Sequence, residues 1–164
     1  MGSVNVFSEI GKLEGVIVHS PGREVEKMTP ESAKGALYSD ILNLSVAKEE
    51  YTLFKGVLSA CCQTYEVRDL LTDILQNSDV KRQLIASICE SEGTLHLKDY
   101  LLSLSEEETT RQLFEGVDII RDNLTRYVSS ERYSLAPLHN FFFTRDGSIT
   151  IYNKVLIGKM ANGV

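Results

Sequence analysis

Cysteine is scarce in this sequence: Cys61, Cys62 and Cys89 are the only three in 164 residues. An odd count with two neighbours adjacent does not make a disulfide framework, and a reducing cytoplasm is the natural setting. No CxxC or HExxH spacing occurs, so a metal site has no support. No apolar run approaches the roughly 20 residues that span a membrane. The N-terminus lacks the apolar core of a signal peptide. Met1-Gly2 opens the chain, but Val6 stands where a myristoylation pattern needs Ser or Thr. Basic residues are outnumbered 17 to 23, giving a net charge of −6 and a pI near 5.1. Without a cluster of Lys and Arg, phosphate binding has no electrostatic footprint. Nucleic acid and membrane are therefore not expected partners. Internal repeats and low-complexity tracts are also missing.

What remains is ordinary for a folded protein. The apolar fraction is 43% and the charged fraction 24%, which is globular composition. The length fits one domain, or one core plus a subdomain, and such a chain buries roughly 70% of its unfolded surface.

Periodicity divides the chain. Glu14 to His19 reads as a buried strand around the β-branched run Val16-Ile17-Val18, closed by the turn Ser20-Pro21-Gly22. Thr29-Pro30 starts a short helix that runs to about Leu37. Val46 to about Cys62 is an amphipathic helix with Ala47, Tyr51, Phe54, Leu58 and Cys61/Cys62 on its apolar face. Tyr65 to Leu70 alternates as a second strand, completing a βαβ-type unit. From about Leu71 to Tyr127 helix follows helix. Ser78 caps one with the face Leu84, Ile85, Ile88 and Cys89, and Gly93 breaks it. Leu95 to Leu104 is another. Ser105 with Glu108 makes a capping box, Gly116 ends that helix, and Asp118 to Tyr127 is a last one. Segments this short must pack on one another. The expected fold class is α/β, with residues 1–70 as a first α/β repeat, 71–135 as an inserted helical subdomain, and 136–164 returning to the sheet.

That return contains the most unusual stretch, Pro137-Leu138-His139-Asn140-Phe141-Phe142-Phe143-Thr144-Arg145-Asp146-Gly147. It holds three of the six phenylalanines in a row. Aromatic residues after a proline favour an extended strand, with Phe141 and Phe143 on one face and Phe142 on the other. Asp146-Gly147 is a turn signal, and Ser148 to Tyr152 alternates like a returning strand. Asn153-Lys154 marks a further turn before the apolar run Val155-Leu156-Ile157. An acid beside aromatic walls suits a flat cation such as a guanidinium. A core hairpin with a charged turn is the plainer alternative.

The segment resembles the Asn-x-x-Phe-Thr-Arg-Asp motif of the arginine deiminases, which belong to the guanidino-group-modifying (pentein) superfamily. The run from Ser8 to Glu24, containing Val16-Ile17-Val18-His19-Ser20-Pro21-Gly22, is similar to the same family's opening. The resemblance covers essentially the whole chain but only the first part of such an enzyme. It implies a partial α/β propeller (pentein-like) carrying the helical insert, and L-arginine as the small-molecule substrate. It implies that Asp146 is a catalytic and substrate-binding carboxylate that grips the guanidinium by paired hydrogen bonds. Asn140 and Phe143 match positions that contact the substrate's amino-acid end and its apolar stem. A plain turn Asn and a plain core Phe are the alternatives at those two positions. Arg145 either pairs with a carboxylate or holds the loop. His139 and Gly147 depart from the prolines usual in the family.

The reaction implied is hydrolysis of arginine to citrulline and ammonia without a metal or organic cofactor. A thiolate attacks the guanidinium carbon, ammonia leaves, and water cleaves the thiouronium. In the family that Cys and its partner His lie later in a longer chain. Gly158 to Val164 stops without a closing element, as either a frayed natural terminus or a truncation would. Cys61, Cys62 and Cys89 are instead read as small packing residues on helix faces. His19 is expected to be structural and His96 to face solvent. Residues 1–164 alone are expected to be inactive, and a homo-oligomer is open. The rival readings are a non-catalytic binding or assembly protein, and a sister activity such as dimethylarginine hydrolysis or amidinotransfer.

Overall fold

The run Gly15–Val18 forms the first strand, β1, and its partner is β2, Gln63–Glu66. The two pair in parallel, from Gly15 opposite Gln63 to Val18 opposite Glu66. Parallel strands need a crossover. The described part of that crossover holds a short helix α1, Arg23–Glu26, and the long helix α2, Leu44–Cys61. This is the expected βαβ-type unit. The computed structural model describes residues 4–8, 10–27, 42–119, 132–139, 141, 143–144 and 147–158. The expected helix from Thr29 lies outside the described residues.

Two expectations in this unit need correction. β1 is not buried throughout: Val18 is 2% exposed but Ile17 is 51% exposed. Helix α2 buries none of its residues, and Phe54, Leu53 and Val57 are exposed. The predicted apolar face is half-covered: Ala47, Tyr51 and Leu58 are half-buried. Asn43 caps α2 by accepting from the amides of Ser45 and Val46, which removes two orphan donors.

The second strand stops at Glu66, and Val67–Leu75 is a helix, α3, rather than a continuation of the strand. The reason lies in the spacing of Arg68, Leu71, Thr72 and Leu75. These positions form one helical face, and it carries an ion pair, an apolar contact, a hydrogen bond to Thr110 and the buried Leu75. Helix α4, Ser78–Ser91, is capped by Asn77, one residue before the expected Ser78. Its residues Ile85 and Cys89 are fully buried and Leu84 and Ile88 pack partly. Gly93 ends it with φ +67°, a left-handed conformation that glycine adopts without a Cβ penalty.

A 3₁₀ turn, Leu95–Leu97, leads into α5, Lys98–Ser103, and then α6, Glu106–Glu115. His96 is exposed, as expected. The Ser105 hydroxyl accepts from the Glu108 amide at 3.2 Å, which is the serine half of the capping box. These elements share one core of Ile85, Cys89, Leu97, Leu101, Leu113 and Leu135. Each such side chain, fully buried, contributes about 1.5–3 kcal/mol.

Gly116 ends α6 as expected, with φ +76°. The next residues are not the expected last helix. Val117–Asp118 is a strand, β3, antiparallel to β4, Tyr133–Leu135. The rest of the expected helix lies outside the described residues. The hairpin prediction is also corrected. Strand β5, Ser148–Ile151, does return as expected, but its partner is β6, Lys154–Ile157. Tyr152, at φ 53°, turns the chain between them. Phe141 lies in a turn and Phe143 in no strand. Local bonds explain this: the His139 amide donates to Pro137 and the Phe141 amide to Leu138. Among the described residues the molecule is therefore mixed α/β, with three two-stranded sheets, none of them closed.

Candidate functional site

The site is built at the carboxyl end of β1, where the chain leaves the sheet through His19-Ser20-Pro21-Gly22. Two carboxylates organise this exit. Glu66, the last residue of β2, accepts from the Ser20 amide at 3.1 Å, from the Ser20 hydroxyl, and from Lys55 at 2.5 Å. Glu24, on α1, is fully buried. It accepts from the Gly22 amide at 2.7 Å, from His19 Nε2 at 3.0 Å and from Arg68 at 2.6 Å. The Tyr51 hydroxyl accepts from the His19 amide at 2.9 Å, joining α2 to the same turn.

Burial pushes the Glu24 carboxyl up, but the bonds from His19 and the backbone and the charge of Arg68 outweigh it. The group is held below the ordinary carboxylate value. Glu66 follows the same balance: burial raises it, and Lys55 and Ser20 hold it down. A buried carboxylate is tolerated here because its oxygens meet donors on several sides.

An aromatic wall closes the cluster. His19 stacks on Phe114 with centroids 4.7 Å apart, and the Arg68 guanidinium lies over the same Phe114 ring, 5.1 Å from its centroid. Phe141 meets both rings edge-on, at 5.6 Å from His19 and 4.9 Å from Phe114. These contacts, rather than a strand ladder, hold Phe141. Arg68 also reaches Glu115 at 3.7 Å.

The Phe-rich segment approaches this wall. Leu138 donates its amide to the Phe114 carbonyl at 2.9 Å. His139 is 8% exposed, and its Nδ1 lies 2.6 Å from the Glu24 carbonyl. A carbonyl only accepts, so Nδ1 carries the hydrogen. Burial lowers the tendency of His139 to protonate, and the bond to Glu24 opposes this without reversing it. Thr144 donates its hydroxyl to the Ile17 carbonyl of β1 at 3.2 Å.

Of the predicted site residues, Asn140 and Asp146 lie outside the described residues, as does Arg145. Phe143 is described and is 52% exposed. His19 is fully buried and hydrogen-bonded, in keeping with a structural histidine. Cys89 is buried as expected, whereas Cys61 is exposed and does not pack. It stands at the last turn of α2, on the helix that buries nothing.

Sequence reasoning missed Glu24, Arg68, Glu66 and Thr144. Glu24 sits two residues beyond the Pro21-Gly22 turn, and an acid just past a strand-ending turn is the one local signal available. Among the described residues no group of three His, Cys, Asp or Glu side chains is arranged to hold a metal. An open cleft of about 580 Å³ lies elsewhere, lined by Lys27, Arg111 and Asp118 among others. It includes no residue of the motif, and its cations already pair with Asp118, Glu108 and Glu115.

Comparison with known proteins adds to this geometry. The family model described as arginine deiminase matches residues 35–163, which contain the whole Phe-rich motif. The arginine deiminase of Borreliella afzelii (strain PKo) is 32% identical over 176 residues, covering 98% of this chain and 42% of the relative. That of Borrelia recurrentis (strain A1) is 34% identical over 175 residues, covering 96% and 42%. That of Listeria monocytogenes serotype 4b (strain CLIP80459) is 32% identical over 171 residues, again 96% and 42%. The chain belongs to the arginine deiminase family. It spans about 42% of the length of these relatives. No described helix is long and apolar enough to cross a membrane.

Proposed function

We propose that this chain is the N-terminal, guanidinium-binding part of an arginine deiminase that hydrolyses L-arginine to L-citrulline and ammonia. The observation that carries the reading is a family match that runs through Asn140-Phe141-Phe142-Phe143-Thr144-Arg145-Asp146. Asp146 supplies the carboxylate that takes two N–H groups of the substrate, a pairing matched in shape and charge. Asn140 contacts the amino-acid end of arginine and Phe143 its methylene stem. A thiolate and an imidazole from the remaining length of the family carry out attack and proton transfer. Neither Cys61, Cys62 nor Cys89 takes that role.

The same reading makes residues 1–70 a first propeller repeat, 71–135 the helical insert and 136–164 the start of the next repeat. Exposed apolar residues on the β5–β6 hairpin, among them Ile149, Leu156 and Ile157, support its burial by further repeats.

Two measurements test the proposal. The purified 164-residue chain forms no citrulline from arginine; turnover by it would contradict the division of labour. In an enzyme of full family length containing these residues, Asp146→Ala lowers kcat/KM about 1000-fold. That corresponds to two charge-assisted bonds of about 2 kcal/mol each. A loss of less than tenfold removes Asp146 from the substrate. Dimethylarginine and amidino donors in the same assay separate the sister activities.

A second reading rests on the apolar surface alone. Ile10 is 97% and Ile157 83% exposed, and such surface also suits a non-catalytic assembly protein. A monomer by sedimentation across the micromolar range rejects it.

A further inference from the structure

Two side chains of the Phe-rich segment reach back to the beginning of the chain. His139 donates from Nδ1 to the Glu24 carbonyl at 2.6 Å. Thr144 donates from its hydroxyl to the Ile17 carbonyl at 3.2 Å. The sequence separations are 115 and 127 residues. Both acceptors are backbone atoms, so they cannot swing away as a side chain can. The first acceptor is itself fixed, because the Glu24 carboxylate is held by Gly22, His19 and Arg68. Between the two anchors, Phe141 is held against His19 and Phe114.

We propose that His139 and Thr144 are positioning residues, which tie the Phe-rich segment to α1 and to β1. The inference rests on the deiminase reading for its purpose, but not for its test. Binding sites hold their geometry when rotamers and backbone are locked by supporting hydrogen bonds. Here that support comes from two directions. One anchor is buried, and the other, five residues further on, is exposed.

The test uses the isotope-labelled 164-residue chain. The Phe141 amide, bonded to Leu138, reports local opening by hydrogen exchange. His139→Ala and Thr144→Val each speed its exchange about fivefold, as expected for one bond lost at each end. His139→Asn, which keeps a donor near the Nδ1 position, and Thr144→Ser stay within twofold of the unmodified chain. The midpoint of global unfolding moves by less than about 3 °C in Thr144→Val. Unchanged exchange in both the Ala and Val variants overturns the proposal. So does an Asn variant that behaves like Ala. Should His139→Ala not fold, nitrogen spectroscopy of the unmodified chain decides. An Nδ1–H ring supports the anchor, and an Nε2–H ring overturns it. None of these readouts involves arginine. If Asp146→Ala leaves turnover by the full-length enzyme intact, the guanidinium-binding role of Asp146 falls while the anchors stand.

Discussion

Glu24 and Arg68 meet at 2.6 Å across 44 residues of sequence, one fully buried and the other 29% exposed. The pair ties α1 to the first turn of α3. Because α3 packs on α6, the same contact sets Phe114 beneath His19.

Removing the carboxylate leaves Arg68 and His19 without their shared acceptor. Glu24→Ala is expected to destabilise the chain by about 3 kcal/mol, the scale for breaking a buried pair by deleting one partner. Urea unfolding followed by circular dichroism measures this. A change below about 1 kcal/mol would show that water replaces the carboxylate.

Glu24 and His139 act in separate pH windows. Glu24 sits below its unfolded value of 4.5. Its stabilisation is complete above 4.5 and is lost as pH falls through the lower folded value. His139 is also depressed, from 6.5. Folding favours its neutral ring, so stability is full above 6.5 and declines as pH falls toward the folded value. His139→Asn should flatten the stability profile just below pH 6.5. Glu24→Gln should make it shallower below 4.5, the remaining slope coming from Glu66, which is held down in the same way. Denaturant midpoints taken from pH 7.5 down to 3 read both.

Gly116 meets backbone where any other residue would carry a Cβ. At φ +76° that atom would lie 2.6 Å from the Leu135 carbonyl and 2.8 Å from the Pro137 nitrogen. Both neighbours are main chain and cannot rotate aside. Gly116→Ala is expected to cost about 2 kcal/mol or more, seen as a lower unfolding midpoint. A neutral result would mean that β4 shifts freely.

Tyr51→Phe removes the acceptor of the buried His19 amide while keeping the ring on Phe54. An amide left without a partner costs about 1–3 kcal/mol. Faster exchange of the His19 amide, with α2 still helical, is the expected signature. Leu101→Ala, at 0% exposure, provides a scale for comparison, at about 3 kcal/mol.

Much of the fold was readable because period and punctuation agree with tertiary packing. The β-branched run at Val16-Ile17-Val18, the glycines at 93 and 116 and the Ser105 cap all act locally, and all appear where expected. The errors come from contacts that sequence spacing cannot see. Val67 to Leu70 alternates like a strand, but Arg68 is drawn to Glu24 and Glu115, and a helix places it there. Phe141 has high strand propensity, yet its ring is used against His19 and Phe114. For the site, the motif was legible as a pattern. Its supports were not, because Glu24 and Ile17 are more than 100 residues away from the groups they hold.

The span from Glu24 to His139 has a kinetic consequence. At roughly 5–20 residues per second of synthesis, some ten seconds pass between the emergence of the two partners. In that interval the nascent helices can associate through short-range contacts. The carbonyl on α1 waits for a donor not yet made. Closing so large a loop carries an entropic penalty that grows with the logarithm of its length. Docking of the aromatic segment is therefore expected late in folding, after the helical core has formed.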